Sequence, residues 1–549
     1  MKEKIWKIKK NPPKNFFKKF PSLNPIILKL LYHRGLKDQK SIKDFFEPKY
    51  ENLFKKLKDP EVEKIKKRLK KAIESKEKIG IWGDYDVDGI SSVALLWELL
   101  SKLNALDIEI YIPDRIKEGY GLNKEGLKKL KEKGVKLLFT VDCGISNFQE
   151  IELANKAGID VIILDHHQRK KSLPNAYAIL HNEKLAAVGI GLKLAQAILK
   201  DYLPNWEEEL KWFLDLAALG TIADLVPLLG ENRIIAKWGL LVLSKTKRKG
   251  LLALYDLAKV NKNKINNFTV SFIIGPRLNA TGRVSHAKKA LQLLLAKDQE
   301  RAFYLAKELE EINRKRQNLT EKILKEAIEQ VNLENPILVI TGKNWERGIL
   351  GLVASKLAEK YMKPCFAIGI YEKEAVGSCR SNLKLNIVEF LTHCEPLLIK
   401  FGGHRKAAGF TLAQKDLDLF KEKLLEIARA KLDKESLQPR LEIDVELQAS
   451  DINFDLLKDL KKFEPWGEGN SKPLFLLKNV EIKEIKNSEI LKMKLKKENL
   501  LFNAIGFDIK KEGLKPGEKI DLVFSLEEDN WLGFKNILLK IIDWKFSKF

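Results

Sequence analysis

Acidic side chains gather in this chain where apolar runs stop. KIGIW (78–82) runs into Gly83-Asp84-Tyr85-Asp86-Val87-Asp88-Gly89, KLLFTV (136–141) into Asp142-Cys143-Gly144, and VIIL (161–164) into Asp165-His166-His167. A later apolar segment, LAALGTIADLVPL, carries Asp224. A lone aspartate in a loop is more often a helix cap or turn former, and Asp88, just ahead of Gly89 and a helical stretch, reads that way. Four acidic groups at equivalent points of a repeated pattern are harder to treat so. Brought into one crevice they would repel one another unless cations compensated. Carboxylates with one or two imidazoles form an oxygen-rich site for Mn2+ or Mg2+, with Zn2+ as a further option. With no thiolates offered, structural zinc is not expected. Two divalent ions about 3.5–4 Å apart would activate a water and clamp the attacking and leaving oxygens of a phosphoryl displacement. Asp142, from the middle of the set, would be the carboxylate shared between them.

The elements that must position these groups follow from the apolar pattern. KIGIW, IEIYIP, VKLLFTV and IDVIIL are near-continuous apolar runs, as strands buried on both faces should be. SSVALLWELLSKL, LNKEGLKKLKEKG and NFQEIELANKAG between them read as helices, the last two stopping at Gly. Strand alternating with helix implies a parallel sheet with right-handed crossovers. Ligands of such sheets collect beyond the carboxyl ends of the strands, which is where the aspartates fall.

Further along, residues 297–332 are charged, free of Gly and Pro and apolar at helical spacing. They predict one extended helix, a connector with a solvated face. A second α/β unit starts at Pro336, with ILVITG and CFAIGI as strands around the helix ILGLVASKLAEKY. After Arg440, alternating runs such as LEIDVEL, LFLLKNVEI, KIDLVF and ILLKIIDW predict a small antiparallel barrel. The expected fold class is α/β: two α/β domains joined by a long helix, followed by a C-terminal β-barrel. Its expected divisions are a helical preface over 1–75, a first α/β domain over 76–260, a motif loop and connector helix over 261–335, a second α/β domain over 336–432 and the barrel over 433–549.

Composition bounds the function classes. A chain of 549 residues with 45% hydrophobic and 32% charged side chains is an ordinary globular protein of several domains. No run approaches the roughly 20 apolar residues of a membrane span. The basic start, MKEKIWKIKKNPPKNFFKKF, lacks the apolar stretch of a secretory signal and contains neither Arg nor Ser. A cytoplasmic protein is expected. Cys143, Cys365, Cys379 and Cys394 form no C-x-x-C pair and read as small buried hydrophobes. The net charge of +25 attracts polyanions, of which nucleic acid is the commonest. A Lys-rich genome or a hot habitat would raise Lys and Glu without any such partner.

The acidic motifs resemble a known family. Asp165-His166-His167 is the tripeptide of the DHH phosphoesterase superfamily. GDYDVDG, VDCG, LDHH and ADLVPL are similar to its four metal motifs in the RecJ branch, the single-strand-specific 5′→3′ exonucleases. GPRLNATGR (275–283), the segment with Trp345, Gly348 and Gly351, then GSCRS (377–381) and Gly402-Gly403-His404 resemble the rest of that branch and the DHH-associated domain. EPWGEGNSKPLF (464–475) resembles the entrance to its OB domain.

The resemblance implies Asp84, Asp86, Asp142, His166 and Asp224 as ligands of two Mn2+ or Mg2+ ions, with Asp142 bridging. His167 would face the scissile phosphate as donor or acid, and Asp165 would orient its neighbours. The family's first motif begins with a metal-binding His further upstream. Gly80 and Trp82 stand in that neighbourhood here, so one ion would have fewer protein ligands.

For the 5′-phosphate the resemblance points to Arg115, Arg283 and Ser378, with Arg277, Arg380 and His404 as weaker candidates; planar Arg forks suit that task. Tyr85, Tyr120 and Trp345 are candidate stacking residues. His33, His181, His286 and His393 are read as structural or surface groups. Single-stranded DNA is the implied partner, with a single-strand-binding protein and a helicase as further ones, and the chain is expected to be a monomer. Two other readings compete: a phosphatase or phosphodiesterase of short oligonucleotides, and a catalytically dead scaffold. The extended barrel argues against the first, and the retained carboxylates argue against the second.

Overall fold

The computed structural model describes residues 4–54, 59–105, 107–381, 385–432, 438–487, 490–507, 509, 512–531 and 534–547. They form two compact units, one of residues 50–226 and 234–439 and the other of residues 4–49, 227–233 and 440–549.

The first unit contains two sheets. In one, the strands run in the order Ile108–Tyr111, Lys78–Gly83, Val135–Val141, Asp160–Asp165 and Ala178–His181, all parallel. Helices cover both faces, which is why Ile79, Ile81, Leu137, Leu138, Ile162 and Ile163 are all buried. The chain reverses its direction of progress across the sheet between Lys78–Gly83 and Val135–Val141. Such a switch point opens a crevice at the strand ends, and Asp84 and Asp142 are the first residues beyond those two ends. The helix Val87–Lys102 starts there, capped by Asp86, whose carboxylate accepts the Asp88 and Gly89 N–H groups. Gly89 is required by contact: a Cβ on it would stand 2.6 Å from the Asp84 carbonyl oxygen.

The second sheet runs Lys400–His404, Ala407–Ala413, Glu374–Arg380, Cys365–Ile370, Leu338–Lys343. Only the last two strands are parallel. The expected α/β unit is therefore mixed, because the Gly-rich strands GSCR and FGGH carry too few apolar residues to announce hairpins.

The connector is a 30-residue helix, Gln299–Ile328, capped by Asp298. It is more than a spacer: its buried stripe of Ala302, Leu305, Ala306, Leu309, Ile323 and Ala327 also holds Asn313 and Thr320. The motif loop expected ahead of it is helical. A π-helical turn, Thr269–Ile274, runs into the helix Gly275–Val284 with Pro276 in its first turn.

In the second unit, Phe475–Asn487, Leu491–Lys497, Leu500–Gly506, Lys519–Trp531 and Phe534–Phe546 close into a five-stranded barrel. Closure includes one parallel pairing, Asn503–Gly506 with Leu538–Ile541, where an antiparallel barrel was expected. This order is that of an OB-fold. The helical preface expected over 1–75 is divided. Ile5–Ile8 is a strand pairing in parallel with Arg440–Ile443, and the helix Pro25–His33 sinks Ile27, Leu28, Leu30 and Leu31 into the barrel core. Residues 4–49 thus belong with the barrel, since their apolar side chains are buried there. No helix among the described residues is long and apolar enough to cross a membrane.

Candidate metal centre

Asp84 and Asp142 reach the crevice from the two strands that flank the switch point, and Asp86 from the turn that caps the following helix. One ligand atom from each of these three lies within 4.8 Å of the others. The same spacing groups Asp142 with His166 and His167, and His166 with Asp88 and Asp224. The groups overlap at Asp142 and His166. His166 Nε2 stands 3.2 Å from Asp142 Oδ1 and 3.6 Å from Asp224 Oδ2. All five carboxylate and imidazole ligands expected from the sequence therefore converge.

Local backbone chemistry holds them there. Asp142 adopts φ 60°, a left-handed conformation that costs a non-glycine residue about 1–3 kcal/mol unless its surroundings enforce it. Its N–H donates to the Leu164 carbonyl at 3.0 Å, and its own carbonyl accepts the Tyr120 hydroxyl at 2.8 Å. Asp165 is fully buried and fully engaged. It accepts the N–H groups of Ile145, His166 and His167 and the Nδ1 of His167 at 2.8 Å. It is an orienting group with no oxygen left over.

The electrostatics are those of a cluster built for cations. Asp84, Asp88 and Asp142 are buried, and Oδ1 of both Asp84 and Asp142 has no hydrogen-bond partner. No Lys or Arg pairs with Asp84, Asp86, Asp88, Asp142 or Asp224 among the described residues; His166 pairs with Asp88, Asp142 and Asp224, and His167 with Asp142. Burial, followed by repulsion from Asp86, raises Asp84 well above the carboxylate range. Burial and the charges of Asp88, Asp86, Asp84 and Asp224 do the same to Asp142. Asp224 is pushed up to about 9, burial first and then Asp88. His166 is pushed down to about 4 by burial and by His167, so its ring is a neutral ligand at pH 7. Burial depresses His167, but the bond to Asp165 and the charges of Asp165, Asp86 and Asp88 together outweigh it and leave that ring above its ordinary value. Orphaned buried carboxylate oxygens beside a neutral imidazole fit divalent metal ions.

Asp88 is corrected. It does not cap its own helix, which Asp86 does; its two oxygens accept the Ala187 and Val188 N–H groups at 2.7 and 3.0 Å, holding the start of the helix Ala187–Tyr202. It also lies 3.9 Å from His166 Nε2.

Trp82 is buried in the core, stacked on Tyr111, so nothing from that position reaches the metal groups in place of the family's upstream His.

Arginines border the acidic turn: a Cβ on Gly282, next to Arg283, would stand 2.8 Å from the Tyr85 carbonyl oxygen. Arg283 is pushed down to about 9 by burial and then by the charges of Arg115, Arg380 and Arg316, with Asp86 acting the other way. Arg115 covers the Tyr85 ring at 4.7 Å, Arg283 donates to the Gly348 carbonyl at 3.1 Å, and Arg380 donates to Ser378 Oγ at 3.0 Å. Gly348 and Gly351 make room for this: a Cβ on Gly348 would stand 2.1 Å from the Arg283 carbonyl oxygen, and one on Gly351 2.9 Å from Arg380 Nη2. The His404 ring lies parallel to that of His167, centroids 6.1 Å apart. Positive groups held together without acidic partners make an anion site. Arg277 is not part of it; Glu310 takes its Nε at 2.7 Å.

Trp345 is buried and donates to Glu326, so it offers no face to a base. Tyr120, 47% exposed, packs against His167, and Tyr85 lies under Arg115. Three contributors escaped the sequence reading. His181 Nε2 meets the His167 carbonyl at 2.7 Å. Asn279 accepts the Val87 N–H at 3.2 Å. Arg316 reaches the arginine cluster from the connector helix, tied to Asn313 at 2.6 Å. The available signal for the last was a polar Asn313 on the apolar stripe of that helix.

Comparison with known proteins agrees with this geometry. Residues 78–221 match the DHH family N-terminal domain, 334–430 the DHHA1 domain and 443–543 the RecJ OB domain. The fold and site thus define a DHH-type protein with an appended OB domain. The single-stranded-DNA-specific exonuclease RecJ of Bacillus subtilis (strain 168) is 37% identical over 546 residues, 96% of this chain and 68% of that protein. The crystal structure of RecJ in complex with Mn2+ from Thermus thermophilus superposes with a TM-score of 0.86 at 27% identity, covering 99% of this chain and 80% of that one. The Mg2+ complex from the same organism gives 0.79 at 26% identity, covering 99% and 79%. The chain belongs to the RecJ family.

Proposed function

We propose that this chain is a metal-dependent exonuclease that hydrolyses single-stranded DNA from the 5′ end and releases 5′-mononucleotides in DNA repair and recombination. One observation carries the reading: overlapping carboxylate–imidazole groups share Asp142 and His166 at the switch point, and Arg115 and the Gly282-Arg283 segment border their Asp84–Asp86 turn at Tyr85. An end-cutting enzyme needs both, a place for reaction and a fixed anchor for the terminal phosphate.

Asp84, Asp86, Asp142, His166 and Asp224 would hold two divalent ions, Mn2+ or Mg2+. When bound, those ions supply an activated water and neutralise charge on the phosphoryl group. His167, fixed by Asp165 and Tyr120, presents its ring to the scissile phosphate, donating a hydrogen bond from Nε2 when the ring is protonated on both nitrogens. Arg115, Arg283, Arg380, Ser378 and His404 hold the 5′-phosphate, which sets the cutting register by one nucleotide. The OB barrel supplies a further surface for a longer strand. Four free, buried cysteines suit a reducing cytoplasm.

The test is digestion of a long 5′-phosphorylated, end-labelled single strand in Mn2+, beside its duplex and a dinucleotide. Mononucleotides released from the 5′ end of the single strand are expected, with Asp142→Ala at least about a thousandfold slower, the scale of a lost metal clamp. Preference for the dinucleotide would replace this reading with an oligonucleotide phosphodiesterase. Equal activity of Asp142→Ala and wild type would rule out the site.

A further inference from the structure

Phe268 and Phe272 are 61% and 67% exposed, and their rings stack on each other with centroids 4.9 Å apart and planes 25° from parallel. Single exposed apolar residues are ordinary on a protein surface, but two large rings facing water together mark a contact surface. Their position says contact with what. Phe272 lies on the π-helical turn Thr269–Ile274, Phe268 caps it, and the turn continues into Gly275–Val284. That helix puts Asn279 on the Asp86–Val87 turn and Arg283 in the arginine cluster. At about 1.5 Å per residue, the seven residues from Phe272 to Asn279 span about 10 Å. The start of the helix also adjoins the far side of the metal centre: a Cβ on Gly275 would stand 3.8 Å from that of Ala223, the neighbour of Asp224. π turns interrupt regular helices at a cost and recur at functional sites. Exposed Lys259, Lys262 and Lys264 immediately precede the rings.

We propose that Phe268 and Phe272 form a base-stacking platform that grips the single strand a few nucleotides from the scissile bond. The inference rests on the exonuclease reading above and adds a determinant of single-strand preference. Aromatic faces with cations alongside are how proteins bind single strands without reading sequence. The face of a base is free to lie on phenylalanine only when the base is unpaired and splayed, so a duplex cannot use the platform. The lysines supply phosphate contacts to the same stretch of strand.

The full-length Phe268→Ala/Phe272→Ala variant tests this by two readouts. Steady-state cleavage in Mn2+ gives KM and kcat, and fluorescence anisotropy in EDTA gives Kd for a long single strand without any cleavage. Both KM and Kd should rise about tenfold, with kcat, dinucleotide hydrolysis and Tm unchanged. Phe272→Trp should restore binding and Phe272→Leu should not. Unchanged Kd in the double variant overturns the platform. Equal binding by the Leu and Trp variants also overturns it, marking an apolar face for a protein partner. A wild type that binds the strand but leaves it intact refutes the exonuclease reading, while the Kd comparison still decides the platform.

Discussion

His167 Nδ1 lies 2.8 Å from Asp165 Oδ1, and the same oxygen accepts the backbone N–H groups of His166 and His167. One buried carboxylate thereby fixes the ring, its tautomer and the backbone of both histidines. The nitrogen facing Asp165 must carry the proton, since the carboxylate only accepts.

Asp165→Asn keeps the shape and breaks that logic, because the amide can present an N–H to the ring and invert its tautomer. A fall in kcat of about 10²–10⁴ is expected with KM little changed, by analogy of role with orienting carboxylates elsewhere. Steady-state kinetics on single-stranded DNA measure it. A kcat within a factor of about two of wild type would mean His167 needs no such orientation.

The carboxylate cluster makes stability depend on pH and metal together. Asp224, at about 9 in the folded chain, keeps a proton that the unfolded chain releases near pH 4, and Asp84 and Asp142 are raised in the same direction. That contribution is fully present below the unfolded value and is lost as pH rises through the folded one. The slope is about 1.4 kcal/mol per pH unit for each proton so held. His166, depressed to about 4, has the opposite sign but changes nothing above pH 6.5. In EDTA, Tm should therefore fall from pH 7 to 9, and saturating Mn2+ should flatten the curve, because ligand carboxylates are bound ionised. Parallel Tm curves with and without Mn2+ in differential scanning fluorimetry would contradict a metal centre.

Arg283 lies in the field of Arg115 and Arg380, and none of the three is ion-paired to a carboxylate among the described residues, which suits a phosphate. Arg283→Ala should lower kcat/KM on 5′-phosphorylated strands about 10–100-fold, the scale of one or two charge-assisted hydrogen bonds. On 5′-hydroxyl strands the loss should be small. Equal loss on both substrates would remove Arg283 from the end-binding pocket.

In the barrel unit, Arg233 is 1% exposed and donates to the carbonyls of Phe45, Lys462, Phe463 and Glu464, its guanidinium 3.8 Å over the Phe45 ring. Arg233→Met would leave those acceptors unpaired in the interior. A loss of about 3–5 kcal/mol is expected in urea unfolding, with the Mn2+-induced Tm shift of the metal centre retained. A change below about 1 kcal/mol would show that water replaces the guanidinium.

The residues themselves announced the parallel sheet, the ligand types and the long helix. Short continuous apolar runs alternating with helical stretches read as strands covered on both faces, and an acidic residue directly beyond such a run emerges at the strand's carboxyl end. The placement of the acidic groups was legible for that reason: Asp84, Asp142 and Asp165 are each tied to a strand, and local sequence dictates where a strand stops. Tertiary structure decided which of them keep an unpartnered oxygen and which spend both on backbone N–H groups. Asp165 and Asp88 look like the other aspartates in sequence, yet one spends its oxygens on the His166-His167 backbone and the other on the helix at Ala187. The docking of residues 4–49 onto the barrel had no local signal. Contacts between segments far apart in the chain depend on which apolar faces find each other, and that pairing is written in no single stretch of sequence.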